Sequence, residues 1–194
     1  MSHSRLADSR LKSLICMRSS SNIYNLSLMS ALIEMRGTGA AQQWAQQVVN
    51  NFARKPQGND TSNLAAVASG ECGVTIANTY YLGRWLAAGD DSVMNSLTLV
   101  FPNQQSSGTH VNISGAGVTK HAPNKANAIR FLEYLTSEYA QTLFAEGNNE
   151  YPVVGVTSGP IAALGSFKED KMDASLLGEN QAEAVRVFDR AGWQ

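Results

Sequence analysis

Val74-Thr75-Ile76-Ala77-Asn78-Thr79-Tyr80-Tyr81-Leu82-Gly83-Arg84 is the stretch whose reading decides the fold. Its first four residues form a short apolar run that reads as a strand. A helical pattern resumes over 82–88, so two adjacent tyrosines sit where a strand hands over to a helix. In an α/β sheet, ligands bind at the carboxyl ends of strands. The free N–H groups of the following helix favour an anionic oxygen there. A phenolate is a hard anionic donor and Fe(III) a hard trication. Three phenolates would balance that charge and lower the cost of holding it in a cleft. A tyrosine pair by itself is more often ordinary packing, so the rest of the chain has to decide.

Upstream, 14–18 reads as a buried strand that ends at the turn Ser19-Ser20-Ser21-Asn22, which can cap a helix. Tyr24 lies just beyond that turn, and if the two strands are neighbours its phenol can join the pair. Helices are expected over 26–35, stopped by Gly37 and Gly39, and over 41–53, with Trp44, Val48 and Phe52 on one face. After the loop Pro56-Gln57-Gly58-Asn59-Asp60, Asp60 or Thr61 caps a third helix with Leu64, Val67 and Ala68 inward. Downstream, Leu97, Leu99 and Phe101 alternate with polar residues as a half-buried strand does. Residues 110–120 are strand-like but broken by Gly115 and Gly117. Pro123 opens a helix with Ile129, Leu132 and Leu135 inward, and further helices are expected over 139–146 and 181–191. Strands alternating with helices predict an α/β fold, a parallel or mixed sheet flanked by helices.

The 194 residues are 43% hydrophobic and 16% charged, an ordinary globular balance. A net charge of −1 gives no basic excess to hold a phosphate backbone, which argues against nucleic acid. No apolar run is long enough for membrane insertion. The opening residues, Met1 to Asp8, carry no apolar signal-peptide core, so the expectation is a removed leader or a sequence truncated upstream. Cys16 and Cys72 form no C-x-x-C and have no histidine beside them, so zinc is not expected. They read as buried thiols at strand starts, close in space, and in an oxidising compartment they can pair only with each other. His110 reads as a satisfied polar residue and His121 as a surface one. Ser114-Gly115 and Ser158-Gly159 invite a hydrolase reading, but no G-x-S-x-G elbow is present. Glu34, Glu133 and Glu150 show no paired-carboxylate spacing.

Several segments in order closely resemble the iron(III)-binding subfamily of type II periplasmic binding proteins. They are Ile15-Cys16-Met17-Arg18-Ser19-Ser20-Ser21-Asn22-Ile23-Tyr24-Asn25, Pro56 to Thr61, Ala68 to Cys72 running on through Ile76 to Arg84, Gly108 to Val118, Glu150-Tyr151-Pro152-Val153, and Asp189-Arg190-Ala191-Gly192-Trp193. The resemblance covers almost the whole chain. It implies capture of Fe(III), with a synergistic anion, for delivery to an ABC permease, and a periplasmic location. It also points away from an enzyme; the alternative reading is a promiscuous serine-dependent ester hydrolase. The family's metal tyrosines match Tyr24, Tyr80 and Tyr81. Asn59 and Asn78 fall where relatives place polar groups around the site. Arg18 looks like a cation beside the ligands, or else a surface ion pair. Residues 1–110 match the second lobe, 111–160 a piece that completes the first lobe, and 161–194 a return to the second. The resemblance carries none of the first lobe's own ligands onto these residues. An apolar face left uncovered on 111–156 leads to the expectation of a homodimer. Ser9, Leu11 and Ser13 stand where relatives tend to carry Pro, Trp and Gly.

Overall fold

The computed structural model describes residues 2–89 and 95–194. Its helices are α1 (Ile23–Arg36), α2 (Thr38–Val49), α3 (Asp60–Ala68), α4 (Thr79–Ala87), α5 (Lys125–Leu135), α6 (Glu138–Asn148), α7 (Ala174–Glu179) and α8 (Gln181–Ala191). Short 3-10 turns lie at His3–Ala7, Ser9–Leu11 and Pro160–Leu164. No described helix is long and apolar enough to cross a membrane.

The expected strands reduce, among the described residues, to isolated parallel bridges. Ile15 pairs with Phe52 on one side and with Val74 on the other. Ile15 N donates to Asn51 O at 3.1 Å, Ala53 N to Ile15 O at 2.8 Å, and Cys16 N to Val74 O at 3.0 Å. The order 52–15–74, with α1 and α2 crossing between the first pair and α3 preceding the third, is the parallel connectivity of an α/β fold. This pairing also shortens the second helix. It stops at Val49 rather than at 53, because Asn51 and Ala53 bond across to Ile15 instead of along the helix. The expected strand over 97–101 is not formed; Leu99 and Val100 are 39% and 41% exposed, and a ladder needs a neighbour. Over 110–120 no ladder forms either, and the pairing falls just before it, between Thr109 and Glu169.

The chain divides into two compact units, Met1–Ala77 with Ser92–Asn112 and Phe167–Gln194, and Asn78–Asp91 with Ile113–Ser166. In the first, α1, α2 and α8 close over Ile15 and Met17. Gly192, at φ 74°, ends α8 in the left-handed conformation and returns Trp193 N to Phe188 O at 3.0 Å. That reversal drives Trp193, 1% exposed, into the core, where its ring meets Phe52 edge-on at 4.9 Å and Phe188 at 4.9 Å. Cys16 and Cys72 are joined as a disulfide, with Cα atoms 5.9 Å apart.

In the second unit, α4 packs on the turn at Pro160–Leu164, burying Leu82 and Ile161. A Cβ at Gly83 would lie 2.7 Å from Asn149 Cβ, so the close approach there admits only glycine. The inward face expected on α5 is not buried: the helix has no buried residue, and Ile129 is 41% exposed. Leu132 and Leu135 are half-buried.

Candidate metal centre

Tyr24 is the second residue of α1. Asn22 caps that helix, its side-chain oxygen accepting from Tyr24 N at 3.0 Å. The cap holds the half-buried tyrosine in the first turn of the helix, at the positive end of its dipole. Arg18 lies over the Tyr24 ring, Cζ 5.3 Å from the centroid. It is not the surface ion pair that was one reading of it. Arg18 and Asp60 pair with side chains 2% and 1% exposed.

Tyr80 and Tyr81 are also first-turn residues. The helix begins at Thr79, three residues before the expected start at 82, so the pair lies inside α4 rather than ahead of it. Their ring centroids are 4.3 Å apart at a tilt of 33°. The Arg84 guanidinium stands 5.2 Å from both centroids. Sequence reading did not single out Arg84. The signal was present, since it follows Tyr80 by four and Tyr81 by three, the spacings that share a helix face. A cation at that distance from two phenol rings is drawn to their π faces.

The structure therefore brings Tyr80, Tyr81 and Arg84 together in the second unit, and Tyr24 with Arg18 in the first. Asn59 caps α3: its side-chain oxygen accepts from Ser62 N at 3.0 Å, and Ser62 Oγ answers its backbone N at 2.9 Å. Asn78 is the half-buried N-cap residue of α4, with no side-chain capping bond. Among the described residues no three His, Cys, Asp or Glu side chains are grouped so as to hold a metal ion.

Two histidines with enclosed side chains lie elsewhere in the first unit. His110 Nε2 is 2.9 Å from Ser27 Oγ, and His110 Nδ1 is 3.8 Å from Asp170 Oδ2. His3, which sequence reading passed over, has Nδ1 3.0 Å from Asn103 Nδ2, and its carbonyl accepts from Trp44 Nε1 at 2.9 Å. Burial pushes the pKa of His3 down to about 4; His110 and Arg36 push the same way and Asp170 opposes. Burial lowers that of His110 as well, against the pull of Asp170. The hydrolase alternative gains no support here. The imidazole in contact with Ser27 is 7% exposed, closed to an ester, and its carboxylate neighbour is beyond hydrogen-bond reach.

The comparisons agree with one another. Residues 9–158 match the model of the bacterial extracellular solute-binding protein family. Iron uptake proteins A1 and A2 of Synechocystis are 45% and 48% identical over 99% and 97% of this chain. The chain spans 55% and 57% of their lengths. A Trichodesmium FutA (IdiA) structure in complex with iron and citrate superposes at a TM-score of 0.94 with 48% identity, over all of this chain and 63% of that one. Apo FutA2 from Synechocystis gives 0.93 at 45% identity, over all of this chain and 64% of that one. The fold is that of type II periplasmic binding proteins, α/β and partial relative to these structures. By sequence and by fold, the chain belongs to the bacterial extracellular solute-binding protein family.

Proposed function

We propose that this chain is the tyrosine-bearing part of a periplasmic substrate-binding protein that captures Fe(III) and hands it to an ABC permease. The observation that carries the reading is the placement of all three phenols, each in the first turn of a helix and each with an arginine over its ring. Helix N-termini and guanidinium groups put positive potential beside the phenols, and phenolate oxygens suit a hard trication. Similarity to the iron uptake proteins of Synechocystis, and to a FutA held with iron and citrate, supports the same ligand with an accompanying anion. In this reading Tyr24, Tyr80 and Tyr81 are the ligands. Arg18 and Asn78 border them, and Asn59, occupied as a cap, acts through α3.

The lobe assignment goes with it: 1–110 and 161–194 to the second lobe, 111–160 to the first. Separate clustering of Ile113–Ser166 supports a distinct piece there, which in the structure also takes in Asn78–Asp91. A homodimer is proposed as well. It is supported by Phe131, Tyr134, Leu143 and Val156 at 59%, 46%, 50% and 84% exposed, and by a groove of about 280 Å³ between α5 and α6.

Titration with a ferric salt tests the metal reading. A visible phenolate-to-iron charge-transfer band is expected, and Y80F/Y81F removes most of it. A band at full strength in that double variant sinks the assignment.

A further inference from the structure

We propose that Asp60 is a positioning residue for Tyr24: its carboxylate pins the Arg18 guanidinium against the Tyr24 ring, and so tunes how strongly that phenol donates to ferric iron. The inference rests on the iron reading above.

Arg18 is held at every edge of its fork. Nη1 donates to Asp60 Oδ1, Nε to Asn25 Oδ1 at 3.3 Å, and Nη2 to the same oxygen at 3.1 Å. The backbone around it is fixed too. Asn25 Nδ2 donates to Arg18 O and to Ser19 O, both at 2.9 Å, and Trp193 Nε1 donates to Arg18 O at 3.1 Å. Asn25 is the residue after Tyr24, so the same clamp that orients the guanidinium sets the start of α1. Asp60 is itself placed by α3, as the first residue after the Asn59 cap, where the helix N-terminus stabilises a carboxylate. Two helix starts are thereby tied through one ion pair to one phenol ring.

An ion pair with side chains 2% and 1% exposed is a poor device for stability alone. Desolvation offsets most of its attraction, and apolar replacements of similar volume are often neutral. What the pair does supply is a cation of fixed orientation 5.3 Å from the Tyr24 centroid, with its charge balanced from the side of α3. Such a cation lowers the energy of the phenolate electrons that are donated to iron. Removing Asp60's charge leaves the cation uncompensated and strengthens that effect. Removing both charges abolishes it.

The test compares D60N and the apolar pair R18M/D60L with the unaltered chain, each loaded with ferric citrate. The expected result is a charge-transfer maximum at shorter wavelength in D60N and at longer wavelength in R18M/D60L. In a Y24F background, D60N leaves the residual band in place. A merely structural role would lower the melting temperature without moving the band in opposite directions. Equal maxima in the folded variants overturn the proposal while leaving the iron reading intact. If D60N does not fold, R18M/D60L decides alone: a shift to longer wavelength upholds the proposal and an unmoved band overturns it. No band in the unaltered chain overturns the iron reading, and this inference with it.

Discussion

Acid should destabilise the first unit through His3. Folded, its imidazole takes a proton only near pH 4; in the unfolded chain it does so near 6.5. Between those values the unfolded state holds more protons, so stability is fully present above pH 6.5 and is lost as the pH falls. At pH 5 the loss from this residue is about 2 kcal/mol, from roughly 1.4 kcal/mol per pH unit below 6.5. His110, lowered in the same direction, adds to it. H3N keeps an acceptor where Nδ1 meets Asn103 Nδ2 and removes the titration. Urea unfolding, followed by fluorescence of the buried Trp44 and Trp193, measures the difference at pH 7 and pH 5. The unaltered chain should lose about 2 kcal/mol more than H3N over that interval. Parallel losses in the two proteins would refute the assignment of the acid sensitivity to His3.

Ser13 sits at φ 60°, where a Cβ is strained, and relatives are expected to carry Gly there. S13G should raise stability by about 1 kcal/mol in the same urea assay, and a lowered midpoint would count against the strain. The Cys16–Cys72 bond closes a sequence separation of 56, so C72S should cost about 4 kcal/mol by the chain-entropy relation. Thiol titration of denatured, unreduced protein should find no free thiol, and two would contradict the bond.

Local signals made much of this chain legible. The helix at Gln181–Ala191 lies where its amphipathic pattern placed it, because one apolar stripe, Ala184, Val187, Phe188 and Ala191, is buried. The turn before Tyr24 announced its own cap in Asn22. Strands were less legible, since periodicity marks which face is apolar and not whether a neighbour exists to pair with. Phe52 shows the same limit: its spacing from Trp44 and Val48 suits a helix face, yet a distant partner, Ile15, takes it into a bridge. At the site, the sequence pattern places Tyr80 and Tyr81 just ahead of a helix, and the structure puts them in the first turn of α4. The Arg18–Asp60 pair, 42 residues apart, and the His3–Asn103 contact, 100 residues apart, come from folding itself and leave no local trace.

Resonance Raman spectroscopy of the ferric-loaded chain, excited in its visible band, tests tyrosinate ligation most directly. Iron-bound phenolate ring modes should dominate the spectrum, shift when tyrosine is ring-deuterated, and be lost when Tyr24, Tyr80 and Tyr81 are all replaced by Phe. A ferric-loaded chain without phenolate modes, or with modes that survive the triple replacement, would contradict iron capture by these three tyrosines.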